Sequence, residues 1–153
     1  MQLISLPVSP FAARVRIAIY AKGLDVEVIP PPVGWPDARQ FRDVNPIGRI
    51  PVLVLGDGRV IPESSVIVEF LEDRFADARP LLPTEVHERA KSRLLARIAD
   101  LYLMPPMVAL ARPAVDEQRR RRLVEELLEG FATLDALLEG GTYAVADQLS
   151  LAD

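Results

Sequence analysis

Cysteine is absent from this chain, and histidine occurs once, at position 87. Without cysteine the chain can form neither a disulfide nor a thiolate metal site, and it carries no redox-active thiol of its own. A single histidine in a charged stretch leaves no spacing from which a histidine-based zinc site could be built. We therefore expect a protein that binds no metal and performs no cysteine chemistry.

Long apolar runs and a basic excess are also missing. No apolar run approaches the ~20 residues that a membrane span needs, and the sequence does not open with the pattern of a secretory signal. The net charge is −4, whereas nucleic-acid surfaces are basic. Residues 119–122 are four arginines, but Glu125, Glu126 and Glu129 follow them, which favours pairing on a solvated helix face. We expect a cytoplasmic protein without a nucleic-acid or membrane partner.

The remaining composition is that of a globular protein, with 50% hydrophobic and 26% charged residues among 153. The first half alternates short strand-like and helix-like segments, with strands expected at 3–6, 26–29, 52–55 and 60–61 and a hairpin turn at 56–59. The second half is helical, over about 85–111, with a kink or break at Pro105-Pro106, and over about 116–138. We predict an α/β domain at 1–76 in the order βαβ then ββα, a linker at 77–84, and a helical domain at 85–153.

The segment between the second and third strands is rich in proline and glycine, which is typical of a stiff surface loop. One helical turn is expected around 38–42. The single tryptophan, Trp35, lies in this loop and either covers a ligand or packs beneath the loop. Packing is the favoured interpretation.

Ser9 and Pro10 mark the start of the first helix. Ser9 is a good N-cap, Pro10 fits the first helical position, and apolar residues recur at helical spacing until Gly23. Unpaired N–H groups and the positive end of the helix dipole converge beside the Ser9 hydroxyl, a place that suits an anion. Helix capping alone explains the same residues, so both interpretations stay open here.

Four segments together carry a family resemblance: Ser9-Pro10-Phe11 with the helix that follows, and residues 45–53, 62–67 and 146–153. They are similar to segments of the cytosolic glutathione S-transferases, most closely the serine-type tau, zeta and bacterial members. The resemblance implies a thioredoxin-like N-terminal domain and an all-α C-terminal domain. Ser150 and Asp153 resemble the capping box that begins the central helix of that second domain, so we expect the domain to be incomplete here.

The resemblance also implies a glutathione site. In the family the proline that matches Pro51 is cis, which would leave the backbone of Ile50 free to pair with a peptide. Glu63 would bind the ammonium group of glutathione, and Ser64 with its helix N-terminus would bind the α-carboxylate of the γ-glutamyl group. Arg49 would contact the glycyl carboxylate. Helix capping is the plain alternative for Glu63 and Ser64.

The implied chemistry is thiolate attack. Ser9 would be the catalytic residue, because its hydroxyl would donate a hydrogen bond to the glutathione sulfur and keep it ionised. The apolar co-substrate would contact Phe11 and the segment that contains Met104, Met107 and Val108.

The expected function is conjugation of glutathione, as co-substrate, to a small apolar electrophile by a homodimer that needs no metal. Two alternatives remain: a zeta-like glutathione-dependent isomerase or a dehalogenase, and a non-catalytic binding or interaction module with the same fold. A serine hydrolase is disfavoured because the chain has no Gly-x-Ser-x-Gly elbow.

Overall fold

A four-stranded mixed sheet with three helices occupies the first part of the computed structural model, which describes residues 1–153. The chain divides into two compact units, Met1–Pro80 and Leu81–Asp153. In chain order the first unit contains β1 (Gln2–Ile4), α1 (Pro10–Ala21), β2 (Glu27–Ile29), α2 (Arg39–Val44), β3 (Val52–Val54), β4 (Val60–Pro62) and α3 (Ser64–Arg74). The predicted α/β class and element order are confirmed, and the strand ends differ from the predicted ones by one or two residues.

The strand order in the sheet is β2-β1-β3-β4, with β1 parallel to β2 and antiparallel to β3, and β3 antiparallel to β4. Leu3 pairs with Leu53 and Ile4 pairs with Val52. Because side chains alternate along a strand, these two pairs face opposite sides of the sheet. All four side chains are buried, so both sides of the sheet are covered.

The face that carries Ile4 and Val52 packs against Phe41 of α2 and against partly buried neighbours that include Trp35. The indole Nε1 of Trp35 is buried there without a hydrogen-bond partner. The prediction that Trp35 packs beneath its loop is therefore confirmed. On the other face, α1 and α3 contact each other and contribute Val15, Ile67 and Leu71 to the core.

Lys22, directly after α1, is the most deeply buried charged side chain of the first unit. Its ammonium lies 2.7 Å from a carboxylate oxygen of Glu72, and it donates to the carbonyls of Phe75 at 3.3 Å and Arg79 at 3.0 Å. The three partners satisfy all three ammonium donors. Lys22 thereby fixes α1 to the end of α3 and to the segment that follows it.

The second unit is helical, with α4 (Val86–Ile98), a π-helical turn (Ala99–Leu103), α5 (Met104–Leu110) and α6 (Glu117–Leu137). The sequence predicted a kink or break at Pro105-Pro106. In the structure no non-helical residue separates α4, the π-helical turn and α5, and both prolines lie in the first turn of α5, directly after the change of helix type at Met104. The π-helical turn before them was not predicted from the sequence.

The surface of α6 carries the arginine run, and two of its arginines are paired. Arg121 lies 3.0 Å from Glu117, one turn before it, and Arg119 lies 3.8 Å from Glu126. The predicted pairing with the glutamates that follow is present for Arg119 and Glu126, which are seven residues apart, whereas the i,i+4 pair joins Arg121 to the preceding Glu117. No helix of the structure combines the length and the apolar character that crossing a membrane requires.

The predicted capping box at residues 150–153 is formed. Asp153 accepts a hydrogen bond from the Ser150 N–H at 2.8 Å, and the Ser150 hydroxyl accepts one from the Ala152 N–H at 3.2 Å. The Ser150 hydroxyl is also within 3.2 Å of the buried hydroxyl of Ser92 in α4. The box therefore anchors the last residues to α4.

Candidate functional site

Ser9 caps α1, as predicted. Its backbone is extended, with φ −81° and ψ 118°, and its hydroxyl oxygen accepts a hydrogen bond from the Ala12 N–H at 3.3 Å. A serine hydroxyl has two acceptor lone pairs and one donor, so capping uses one lone pair and leaves the O–H free to donate. Capping and stabilisation of an anion are therefore compatible at this residue.

The loop before β3 is held by the buried side chain of Asn45. Its amide nitrogen donates to the Arg49 carbonyl at 2.8 Å, and its amide oxygen accepts from the Ile47 N–H at 3.2 Å. Gly48 has a φ of 68°, and a Cβ there would lie 3.0 Å from the guanidinium carbon of Arg42. The turn thus needs glycine for its backbone conformation, whereas the Cβ contact would require only a small shift of the flexible Arg42 side chain.

The Ile50-Pro51 peptide bond is cis, in agreement with the expectation from the family resemblance. The N–H and C=O of Ile50 make no hydrogen bond within the protein. These two groups are therefore available to an extended ligand that would pair with the chain as a strand does.

The junction between β4 and α3 places Glu63 and Ser64 side by side. Glu63 has a φ of 70°, which is unusual for a residue with a side chain, and its carboxylate makes no capping hydrogen bond to α3. Ser64 is the first residue of α3 and is buried. Because the Glu63 carboxylate does not cap the helix, the plain capping explanation fails for this residue.

One cavity of about 310 Å³ gathers these elements. We call it the Glu63 cavity. It is lined by residues from the start of α1, the loop before β3 and the start of α3: Phe11, Ile47, Arg49, Ile50, Pro51, Glu63 and Ser64. Arg49 and Glu63 give it one side chain of each charge, and the start of α3 adds the positive end of a helix dipole. It can therefore receive a ligand that carries both an ammonium and a carboxylate.

Not every predicted site residue lines this cavity. Ser9 does not, although Phe11, two residues further along α1, does. Met104, Met107 and Val108 belong to α5 of the second unit, and Met107 and Val108 are about half exposed. A second cavity, of about 680 Å³, lies within that unit and is lined by Pro105, Pro106 and residues of α4 and α6, but by none of those three side chains.

Comparison with known proteins identifies the family. Residues 3–79 match the family model described as glutathione S-transferase, N-terminal domain. Glutathione S-transferase 1 of Dianthus caryophyllus is 35% identical over 162 residues, which cover 100% of this chain and 72% of that protein. The chain belongs to the glutathione S-transferase family.

Solved structures show the same relationship. A glutathione S-transferase domain-containing protein of Marinobacter aquaeolei VT8 superposes with a TM-score of 0.85 at 27% identity, covering 100% of this chain and 82% of that one. The maleylacetoacetate isomerase of Methylobacterium extorquens AM1, with bound malonate and glutathione, gives a TM-score of 0.81 at 28% identity, covering 99% and 77%. This glutathione S-transferase family member is thus a glutathione-dependent enzyme with a thioredoxin-like N-terminal domain.

Two residues in or beside the Glu63 cavity were not identified from the sequence. Ile47 lines the Glu63 cavity, and Asn45 holds the loop that carries Arg49 and Ile50. Both lie in the segment 45–53 that carried the resemblance. An asparagine directly before a proline is a turn signal, and this signal could have identified Asn45 as the residue that shapes the loop.

Proposed function

We propose that glutathione binds in the Glu63 cavity as an added strand against Ile50. The observation that carries the proposal is the convergence of Arg49, Ile50, Glu63 and Ser64 on one cavity from three separate segments. The Glu63 carboxylate binds the ligand's ammonium, and Ser64 with the N–H groups at the start of α3 binds its α-carboxylate. Arg49 faces the glycyl carboxylate. Glutathione carries each of these groups, so every charge of the ligand meets its complement.

Ser9 stabilises the glutathione thiolate in this proposal. A free thiol has a pKa of ~8.5, and a helix N-terminus or hydrogen bonds to the sulfur lower it. The start of α1 supplies both, because the Ser9 O–H is free to donate while its oxygen caps the helix. Phe11, in the first turn of α1, lines the cavity, which supports a sulfur position near the start of this helix.

The reaction is conjugation of the thiolate to a small apolar electrophile. The sulfur forms a bond to an electrophilic carbon, and the electron pair leaves with a departing group or passes to a conjugated acceptor that is then protonated. Phe11 provides an apolar contact beside the sulfur. Contacts of the co-substrate with Met104, Met107 and Val108 stay a prediction from the sequence.

Isomerisation is the second candidate, and the similarity to the maleylacetoacetate isomerase of Methylobacterium extorquens favours it. There the same thiolate would add to a double bond and leave again after rotation, so that no glutathione is consumed. Counting glutathione before and after turnover distinguishes the two reactions, because conjugation consumes one molecule for each product and isomerisation consumes none.

The test of Ser9 is the ultraviolet absorbance of the thiolate in bound glutathione, titrated through neutral pH in the wild-type chain and in Ser9→Ala. We expect a thiol pKa well below its free value in the wild type and a return toward that value in the variant, with glutathione affinity nearly unchanged. A bound thiol with its free pKa in the wild type would instead indicate a non-catalytic binding module.

Sedimentation of the chain with and without glutathione tests the proposed homodimer.

A further inference from the structure

We propose that Arg16 is a positioning residue that holds the loop between β1 and α1, and thereby fixes the direction of the Ser9 hydroxyl. The inference rests on the proposed role of Ser9 in stabilising the thiolate. Arg16 lies in the second turn of α1, and its guanidinium reaches back to three consecutive residues of the chain that leads into Ser9.

The contacts of Arg16 are specific. One terminal nitrogen, Nη1, donates to the Ser5 hydroxyl at 2.7 Å and to the Leu6 carbonyl at 3.0 Å, and Nη2 donates to the Pro7 carbonyl at 2.9 Å. The Leu6 carbonyl also accepts a hydrogen bond from the Ser9 N–H at 3.2 Å. The two lone pairs of this one oxygen therefore link the guanidinium directly to the backbone of Ser9.

The loop has little else to hold it. Pro7 is exposed and Val8 is 89% exposed, so neither side chain packs into the core. Pro7 and Pro10 have no N–H groups and cannot add backbone hydrogen bonds. Apart from the Ser9–Leu6 bond and the half-buried Leu6 side chain, the Arg16 guanidinium supplies the contacts that order residues 6–8.

Only arginine can make these contacts together. Its planar guanidinium presents several N–H donors in a fixed fork, whereas lysine is a single charged point on a flexible stem. Arg16→Lys keeps the positive charge but cannot reach Ser5, Leu6 and Pro7 in this geometry. The lysine variant therefore separates positioning by the fork from a simple electrostatic effect of the charge on the thiolate.

The test compares Arg16→Gln, Arg16→Lys and the control Arg59→Gln, which changes an exposed arginine of the β3–β4 hairpin that pairs with Asp57. Two quantities are measured in the 153-residue chain: the exchange rate of the Ser9 amide hydrogen by NMR, and the pKa of the thiol of bound glutathione by ultraviolet absorbance. Glutathione affinity is measured alongside, because the Glu63 cavity lies outside the loop.

We expect both Arg16 variants to speed exchange of the Ser9 amide by about tenfold or more, since each removes charge-assisted hydrogen bonds that order the loop. They should raise the thiol pKa toward its free value and lower kcat with little change in KM. The control should change none of these. In a double-variant cycle, Arg16→Gln should add nothing to the thiol pKa of Ser9→Ala, because Arg16 acts through Ser9.

Several results would overturn the inference. A low thiol pKa retained in Arg16→Lys would show that the charge alone matters, and unchanged Ser9 exchange would show that Arg16 does not hold the loop. Additive pKa effects of Arg16→Gln and Ser9→Ala would show that the two residues act separately. Should the Arg16 variants fail to fold, Ser5→Ala removes a single one of the contacts, and a smaller change in the same direction is expected.

Failure of the proposed function is distinguishable from failure of this inference. If Ser9→Ala leaves the thiol pKa unchanged, the catalytic role of Ser9 is wrong. The Ser9 exchange rates then still decide whether Arg16 orders the loop.

Discussion

The backbone of Glu63 offers a way to separate folding from ligand binding at a single residue. Its φ of 70° lies where residues with a Cβ are rare, and such a conformation costs of order 1–3 kcal/mol. Glycine adopts it freely but loses about 0.4–1 kcal/mol through the greater freedom of the unfolded chain. We therefore expect Glu63→Gly to stabilise the 153-residue chain by about 1 kcal/mol and to raise its melting temperature by about 3 °C.

The same change should weaken glutathione binding. The proposed contact of the Glu63 carboxylate with the ligand ammonium is a charge-assisted hydrogen bond, worth about 1.5–3 kcal/mol, or about 10- to 150-fold in Kd. Glu63→Gly is thus expected to be more stable than the wild type and to bind glutathione less well. Few substitutions at an ordinary surface residue would move both quantities in opposite directions.

Two further variants assign each effect to its cause. Glu63→Ala lacks the carboxylate but keeps a Cβ, so it should bind as weakly as Glu63→Gly without the gain in stability. Glu63→Gln keeps the size of the side chain and should also lose affinity while melting within about 0.5 kcal/mol of the wild type. Thermal unfolding by circular dichroism and glutathione titration by calorimetry measure the two quantities. Equal melting temperatures for the glycine and alanine variants would refute the strain argument, and wild-type affinity in Glu63→Gln would refute the ammonium contact.

Three other substitutions test the contacts around the site and the fold. Asn45→Ala removes both hydrogen bonds of a buried amide, so it should cost about 2 kcal/mol of stability and weaken glutathione binding. The control Arg39→Ala, at an exposed position, should have neither effect. Unchanged glutathione binding by calorimetry would exclude Asn45 as the residue that shapes the loop. Lys22→Met leaves Glu72 without its ammonium partner and should lower the free energy of unfolding by about 3 kcal/mol, measured by urea denaturation. A loss of less than about 1 kcal/mol would contradict this. Gly130→Ala should lower the melting temperature, although alanine has the better helix propensity. A Cβ at this position would lie 2.7 Å from the Leu103 side chain and 3.3 Å from the Tyr102 carbonyl oxygen. A higher melting temperature would show that Leu103 repacks freely.

Local features of the sequence predicted much of the fold. Ser9 and Pro10 located the start of α1, and Asp116 precedes α6, because a capping hydroxyl or carboxylate acts on N–H groups only two or three residues away. The prolines at 105 and 106 marked the place where the π-helical turn gives way to α5, for the same local reason. The π-helical turn just before them escaped prediction. It depends on how residues 99–103 pack against α6, where Gly130 permits a close approach.

The sequence by itself determined the class of the fold, the element order and, through four short segments, the family to which the chain belongs. It did so because capping, turn formation and hydrophobic alternation act over a few residues, and because a motif at fixed spacing needs no coordinates to be recognised. The tertiary structure decided that Arg49, Ile50, Glu63 and Ser64 line one cavity together with Phe11 and that Ser9 is not among its lining residues. It also decided that Arg16 reaches back to the chain before Ser9, since side-chain hydrogen bonds and a positive φ depend on which distant groups the fold brings within 3 Å.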